Sequence, residues 1–361
     1  MNPTNPRLGY RPALDGLRAV AVLLVMGHHT GKLLLPGTGL GRRLLPGGFL
    51  GVDVFFVLSG FLITALLLER RGERSPVGAF YGRRALRLMP AVLALLAGVV
   101  GIALLEHERG AEIVRTLWTV PTYSANWSVV AGTFPERHVA HLWSLSVEAQ
   151  FYVVWPLLLL GALALGWSRR RVLVAVGVLI VAVAVWRAIL WEPGYRWLSL
   201  YIRTDTRADA LLIGAALALA PWERLVASSR LALAGAAALA AIVVCAMTVD
   251  PPSRVYYLGL LTVVAALSAV TIASLLPGSG PLARGLARAP VVAIGRWSYS
   301  LYLWHFPMFV VVADHAGSWP AALRVLVAWT FAFVLAVFSY RFVERPALAL
   351  RRLRAEPARH A

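Results

Sequence analysis

Apolar residues run along the chain in blocks of about twenty, broken by short polar gaps. A helix of that length spans the hydrocarbon core of a bilayer. Ten such helices are predicted, near 14–35, 49–68, 88–105, 142–166, 172–191, 206–220, 231–249, 256–276, 291–312 and 321–342. The sixth is short, and the fourth carries polar groups at its outer end. The expected fold is all-α, a polytopic membrane helix bundle of about ten transmembrane helices. Residues 1–346 make the membrane domain and 347–361 a basic cytoplasmic tail, with no internal repeat, low-complexity tract or interdomain linker.

Composition supports this and excludes the soluble reading. At roughly 150 residues per domain, 361 residues suggest two or three soluble domains. Yet 59% of residues are hydrophobic and only 14% charged, too few charges to cover a wet surface. The net charge of +18 comes from 35 Lys and Arg against 17 Asp and Glu. In a soluble chain it would suggest nucleic acid. Here the arginines sit in gaps between apolar blocks, as anchors of membrane helices do, so the expected partner is the lipid bilayer and not nucleic acid. One side of the predicted topology collects 22 arginines, 15 of them within 70–87, 169–171 and 341–359 and the rest at Arg7, Arg11, Arg224, Arg230, Arg284, Arg288 and Arg296, and the other holds 11 basic residues. The positive-inside rule then places both termini in the cytoplasm. The first block is no signal peptide, because Arg18 interrupts it and no small-residue cleavage site follows. A single cysteine, Cys245, rules out a disulfide framework or Cys-rich metal site.

Ionisable residues inside a bilayer are costly and tend to mark function. The first span holds Asp15, Arg18, His28 and His29. At 100° per residue, Arg18 and His29 share one helix face about 16 Å apart, whereas His28 turns away by about 80°. Asp15 lies one turn before Arg18, within pairing reach. His29 is thus a candidate base facing a polar cavity, the alternative being a histidine that only bonds a neighbouring helix. A second constellation opens the fourth span, where His141, Ser144, Glu148 and Tyr152 form one stripe. A buried carboxylate there must be protonated, paired or wetted. The third is on the inner side, where Arg84 and Arg87 sit one turn apart and suit phosphates, although topology alone also gathers arginines there.

Weaker candidates remain. Asp53 opens the second span after Gly47, Gly48 and Gly51. Asp205, Arg207 and Asp209 precede the sixth and are expected to pair with one another. Tyr302 and His305 lie with Ser298, Tyr299 and Ser300 in the ninth, where an interfacial aromatic belt is the plainer account. Arg341, Glu344 and Arg345 end the tenth as an expected salt-bridge cluster. Glu136, His138 and His141 are ligand types on an expected exposed loop, and no metal site is assigned. There is no G-x-S-x-G elbow, P-loop, G-x-G-x-x-G or H-E-x-x-H motif.

Taken together these stretches resemble acyltransferase family 3, the integral-membrane bacterial O-acyltransferases. The resemblance runs from Leu14-Asp15-Gly16-Leu17-Arg18-Ala19 to Phe342-Val343-Glu344-Arg345-Pro346. It includes the R-x10-H pattern as Arg18 and His29, and a second signature, Gly47-Gly48-Phe49-Leu50-Gly51-Val52-Asp53-Val54-Phe55-Phe56-Val57-Leu58-Ser59-Gly60-Phe61-Leu62-Ile63. The R-x-x-R pattern falls at Arg84 and Arg87, and Tyr299-Ser300-Leu301-Tyr302-Leu303-Trp304-His305 also matches. His28 stands where the family usually has an aromatic or apolar residue, and Ala149 where a second acid often follows Glu148. Only 15 residues follow Pro346, so the C-terminal hydrolase-like domain of some relatives is expected to be absent.

The resemblance implies a multi-pass protein of the bacterial inner membrane that moves an acyl group, commonly acetyl, from cytoplasmic acyl-CoA to a hydroxyl. Sugars, surface glycans and macrolides are among the family's acceptors. It implies His29 as base or acyl relay with Arg18 as its essential partner, and Arg84 and Arg87 as ligands of the CoA phosphates. Glu148 is expected to orient His29 or to bind acceptor hydroxyls. Asp53, Tyr302 and His305 complete the expected substrate contacts, with acyl-CoA as co-substrate and no tightly bound cofactor. The rival reading is a secondary transporter or flippase, in which Arg, His and Glu form a central polar relay.

Overall fold

The computed structural model describes residues 9–72, 76–106, 110–134, 137–192, 197–250 and 253–354. Ten long helices fall on the ten apolar blocks: α1 Pro12–His29, α2 Gly51–Glu69, α3 Pro76–Leu105, α4 Trp143–Ala164, α5 Arg169–Ile189, α6 Thr204–Leu219, α7 Ser229–Thr248, α8 Leu261–Leu275, α9 Ala289–His315 and α10 Ala321–Ser339. Among the described residues there is no strand. Seven spans are long and apolar enough to cross a membrane by length and composition. The three outside that group are α1, α6 and α9; α6 has only 16 residues, and all three carry polar residues into the bundle. The fold is an all-α polytopic membrane bundle.

Local sequence explains several helix ends. Pro12 starts α1, where its missing N–H costs nothing. After His29 the helix widens into one π-helical turn, Thr30–Leu34, and Thr30 donates to the Met26 carbonyl while receiving the Trp329 indole N–H. Helix α3 begins twelve residues before the predicted span. Its 30 residues extend about 45 Å, more than the hydrocarbon core requires. The extra turns carry Arg83, Arg84 and Arg87 beyond the apolar stretch, so a hydropathy pattern alone stops short of them.

Helix α6 is the buried hub, packed against α2, α5 and α8, with α4 beside it. Two glycines allow its contact with α2. A Cβ at Gly60 would sit 1.9 Å from the Leu211 carbonyl oxygen, and one at Gly214 2.0 Å from that of Val57. The two backbones therefore touch, the close approach that small residues permit in membranes. Helix α1 lies between α2 and α9, and α9 packs on α10. Leu157, Leu158, Val178, Phe331 and Phe338 stay exposed on the outside, as a lipid-facing surface requires.

Two ion pairs lock this core. Arg207 on α6 donates to Asp53 on α2 at 2.8 Å, both side chains fully buried. Arg187 on α5 donates to Asp209 at 2.9 Å and to the Thr206 carbonyl at 2.7 Å, while Thr262 donates to the same Asp209 oxygen at 2.6 Å. The expectation that Asp205, Arg207 and Asp209 pair with one another is therefore corrected. Arg207 and Asp209 face different neighbours and tie α6 to α2 and α5, and Asp205 pairs with Arg203 at 2.6 Å.

Candidate active site

The start of α1, the end of α2 and the start of α3 meet at one end of the bundle around a cavity of about 390 Å³. Arg11, Arg18, Arg70, Arg83, Arg84 and Arg87 line it, against the carboxylates of Asp15 and Glu69. Arg18 bonds Asp15 at 3.2 Å, the pairing expected from their one-turn spacing. Six guanidinium groups around one hollow make a strong anion trap, and their planar forks match phosphate oxygens. The sequence singled out Arg84 and Arg87. Arg11, Arg70 and Arg83 join them only because three separate helix ends converge.

A narrower cavity of about 80 Å³ shares Arg18, Ser59, Arg84 and Arg87 with the first and reaches deeper, to Ser144, Glu148, Tyr299 and Tyr302. The stripe on α4 faces this interior as its spacing predicts. Glu148 accepts from Ser59 at 2.9 Å through one oxygen and from Tyr152 at 3.0 Å through the other. Arg84 in turn donates to the Tyr152 hydroxyl and lies over its ring, 4.1 Å from the centroid. Glu148 is thus two steps from the arginine cluster and hydrogen-bonded to other partners than His29. Among the described residues no hydrogen bond joins it to that histidine; its side-chain partners are Tyr152 and Ser59. Ser59 falls within the Gly47 to Ile63 signature, which gave it no role of its own.

Tyr302 walls the deep end. Its hydroxyl donates to the His141 carbonyl at 2.8 Å and lies 2.6 Å from the Ser144 hydroxyl, which supplies the remaining proton. Behind it three imidazoles cluster. The Nδ1 of His29 lies 2.9 Å from Nε2 of His305, with the two rings stacked at 5.1 Å. His141 approaches His305 at 5.3 Å and stacks on Phe306 at 4.8 Å. His305 and His141 are buried, and His29 is half-buried. His28 points elsewhere, with its Nδ1 3.2 Å from the Leu45 carbonyl and its ring against Phe49. The two neighbouring histidines thus face different partners; neither lines the two arginine-bearing cavities, and His28 lines a separate hollow with Lys32 and Asp250.

Other expected site residues are relocated. Arg18 lines the basic cavity, about 16 Å along the helix from His29, too far for contact with that ring. Asp53 lines neither cavity and is held by Arg207. His138 and His141 are buried in a 3-10 turn, Arg137–Leu142, which docks on α9, so the loop they occupy is not exposed. His138 lies 3.8 Å from Glu106, beside Asp314, while Arg137 salt-bridges both acids at 3.2 and 2.8 Å; a guanidinium already stands between the carboxylates. Glu136 falls outside the described residues. Ser298, Tyr299 and Tyr302 face the inner cavity rather than forming an interfacial belt. Glu344 accepts from Ser300 on α9 instead of joining a surface cluster with Arg341 and Arg345.

An apolar helix bundle that encloses buried imidazoles beside an arginine-lined cavity has the make-up of a membrane enzyme. A family model described as an acyltransferase domain matches residues 11–341, and the chain belongs to acyltransferase family 3. It is similar to the putative peptidoglycan O-acetyltransferase YrhL of Bacillus subtilis, at 34% identity over 93% of this chain and 55% of that protein. It is also similar to the peptidoglycan O-acetyltransferase OatA of Listeria monocytogenes, at 32% identity over 93% of this chain and 56% of the relative. A putative O-acetyltransferase of Staphylococcus aureus is 32% identical over 94% and 58% respectively. The chain thus spans a little over half the length of the curated relatives it matches. No solved structure matches it.

Proposed function

We propose that this protein transfers an acyl group, acetyl by analogy with its relatives, from cytoplasmic acyl-CoA to a glycan or other hydroxyl acceptor at the opposite face. The observation that carries this is the arginine-lined cavity continuing into a narrower one that ends at Tyr302, which bonds the His141 carbonyl beside the His29–His305 pair, although no imidazole lines either cavity. Arginines at that mouth complement the CoA phosphates. In this scheme both termini are cytoplasmic and all ten long helices cross the bilayer.

The chemistry follows from what the residues hold. Arg84 and Arg87, with Arg18 behind them, anchor the donor, and the separation of Arg18 from His29 is of the order an extended pantetheine arm covers. The His29 imidazole takes the proton of the acceptor hydroxyl as its oxygen attacks the thioester carbonyl. The C–S bond then breaks, and the thiolate receives that proton back from His29. Tyr302 and the buried rings around it exclude water, which protects the thioester from hydrolysis. Glu148 keeps Tyr152 and Ser59 in place and so fixes Arg84.

Reconstituted vesicles supplied with radiolabelled acetyl-CoA and a panel of glycans test this. Label on the acceptor as an ester, with more acetyl-CoA needed by Arg84→Ala, supports transfer. An acceptor that crosses the membrane chemically unchanged, with no thiol released, supports the transporter reading instead.

A further inference from the structure

We propose that His305 is a positioning residue that fixes the tautomer of His29 and thereby makes Nε2, not Nδ1, its basic atom. The inference rests on the acyl-transfer reading and names the proton arrangement it uses. The Nδ1 of His305 lies 3.0 Å from the Leu301 carbonyl and 2.8 Å from the Tyr302 carbonyl, one turn back along α9. A carbonyl oxygen only accepts, so Nδ1 of His305 carries a hydrogen. In the neutral ring Nε2 is then a bare lone pair, and it faces His29 Nδ1 at 2.9 Å. Two lone pairs cannot meet at that distance, so Nδ1 of His29 carries the hydrogen between them. One lone pair remains on the pair, at His29 Nε2.

The one side-chain hydrogen bond of His29 among the described residues is the one from Nδ1 to His305, which leaves Nε2 free of a protein partner on a half-buried residue. The arrangement repeats the logic of an orienting group behind a catalytic imidazole, with a second histidine where a carboxylate often stands. It also serves the charged stage. When Nε2 takes the acceptor's proton, the positive ring is stabilised through Nδ1–H to His305, whose own Nδ1–H is held by two helix carbonyls. No net charge enters the membrane core in the resting state, which a carboxylate partner would require. Phe306 and Phe309 hold the two rings, at 4.9 Å from His29 and 5.6 Å from His305 respectively.

Two variants separate positioning from packing. His305→Phe fills the same apolar hole without an acceptor, and His305→Gln restores an acceptor oxygen. The expected result for His305→Phe is a fall in kcat of about 10²–10⁴, the scale set by imidazoles held in the wrong tautomer, with KM for acetyl-CoA within twofold of wild type. His305→Gln recovers at least tenfold of the lost rate. Nitrogen NMR of ¹⁵N-histidine-labelled protein, with His29→Gln assigning the signal, reads the tautomer without any turnover. Wild type shows a protonated Nδ1 and bare Nε2 at His29, and His305→Phe shows a mixture. A wild-type His29 protonated at Nε2, or a folded His305→Phe enzyme with wild-type kcat, overturns the proposal. An NMR signature as expected in protein that transfers no acyl group leaves the tautomer standing and sinks the acyltransferase reading.

Discussion

Asp53 offers the sharpest separation between a residue that binds substrate and one that holds the fold. Arg207 makes one hydrogen bond among the described residues, from Nη2 to Asp53, while its Nε and Nη1 are buried without a partner. Replacing Asp53 by Leu strands a guanidinium in a low-dielectric core. Breaking a buried pair from one side costs about 3–5 kcal/mol. The Tyr201 ring, 4.7 Å from the guanidinium carbon, offsets roughly 1–2 kcal/mol of that through its π face. A net loss of about 1–4 kcal/mol is expected for Asp53→Leu. The double variant Asp53→Leu/Arg207→Met removes both charges and is expected to return close to wild type, within about 1 kcal/mol. The assay is the fraction of detergent-solubilised protein that stays monodisperse after graded heating, measured beside the KM of each variant for acceptor. A stable Asp53→Leu protein with a raised acceptor KM would refute the lock and restore Asp53 to the substrate site.

Other expectations follow from the same geometry. Gly60→Leu drives a side chain into the Leu211 backbone, so little folded protein should be recovered by fluorescence-detected size exclusion, whereas Gly101→Leu, with open space around it, should behave as wild type. Arg84→Ala and Arg87→Ala should raise KM for acetyl-CoA about tenfold or more each, since a charge-assisted hydrogen bond contributes about 1.5–3 kcal/mol, with kcat changed far less in steady-state assays. Donor affinity should also fall as salt rises from 50 to 300 mM, read by calorimetry, because the basic mouth is solvent-connected and screened. His28→Ala should keep most activity, as its ring bonds the Leu45 carbonyl and takes no part in the His29–His305 pair.

All ten long helices were legible because membrane burial writes itself as continuous apolar blocks, and their starts and ends differ from expectation by a few residues except at α3. There the first three turns are basic and partly wet, so hydropathy carries no trace of the helix continuing. Within the site, fixed spacings on one helix were legible: Arg18 to Asp15, His29 apart from His28, and the α4 stripe. Pairings between helices were not. That Arg207 meets Asp53 across 154 positions, or that His29 meets His305 across 276, depends on which faces α6 and α9 present, and no local pattern encodes that. His141 was misplaced for a related reason, since a polar loop sequence reads the same whether it lies outside the bundle or folds back onto α9.

The central claim is that His29 performs the chemistry on a donor held by the inner arginines. Thiol release from acetyl-CoA by purified protein, measured in a single turnover beside calorimetric binding of acetyl-CoA, tests it most directly. The account predicts slow release by wild type and none detectable from His29→Ala, with both proteins binding the donor equally. Equal release from folded His29→Ala protein would contradict it.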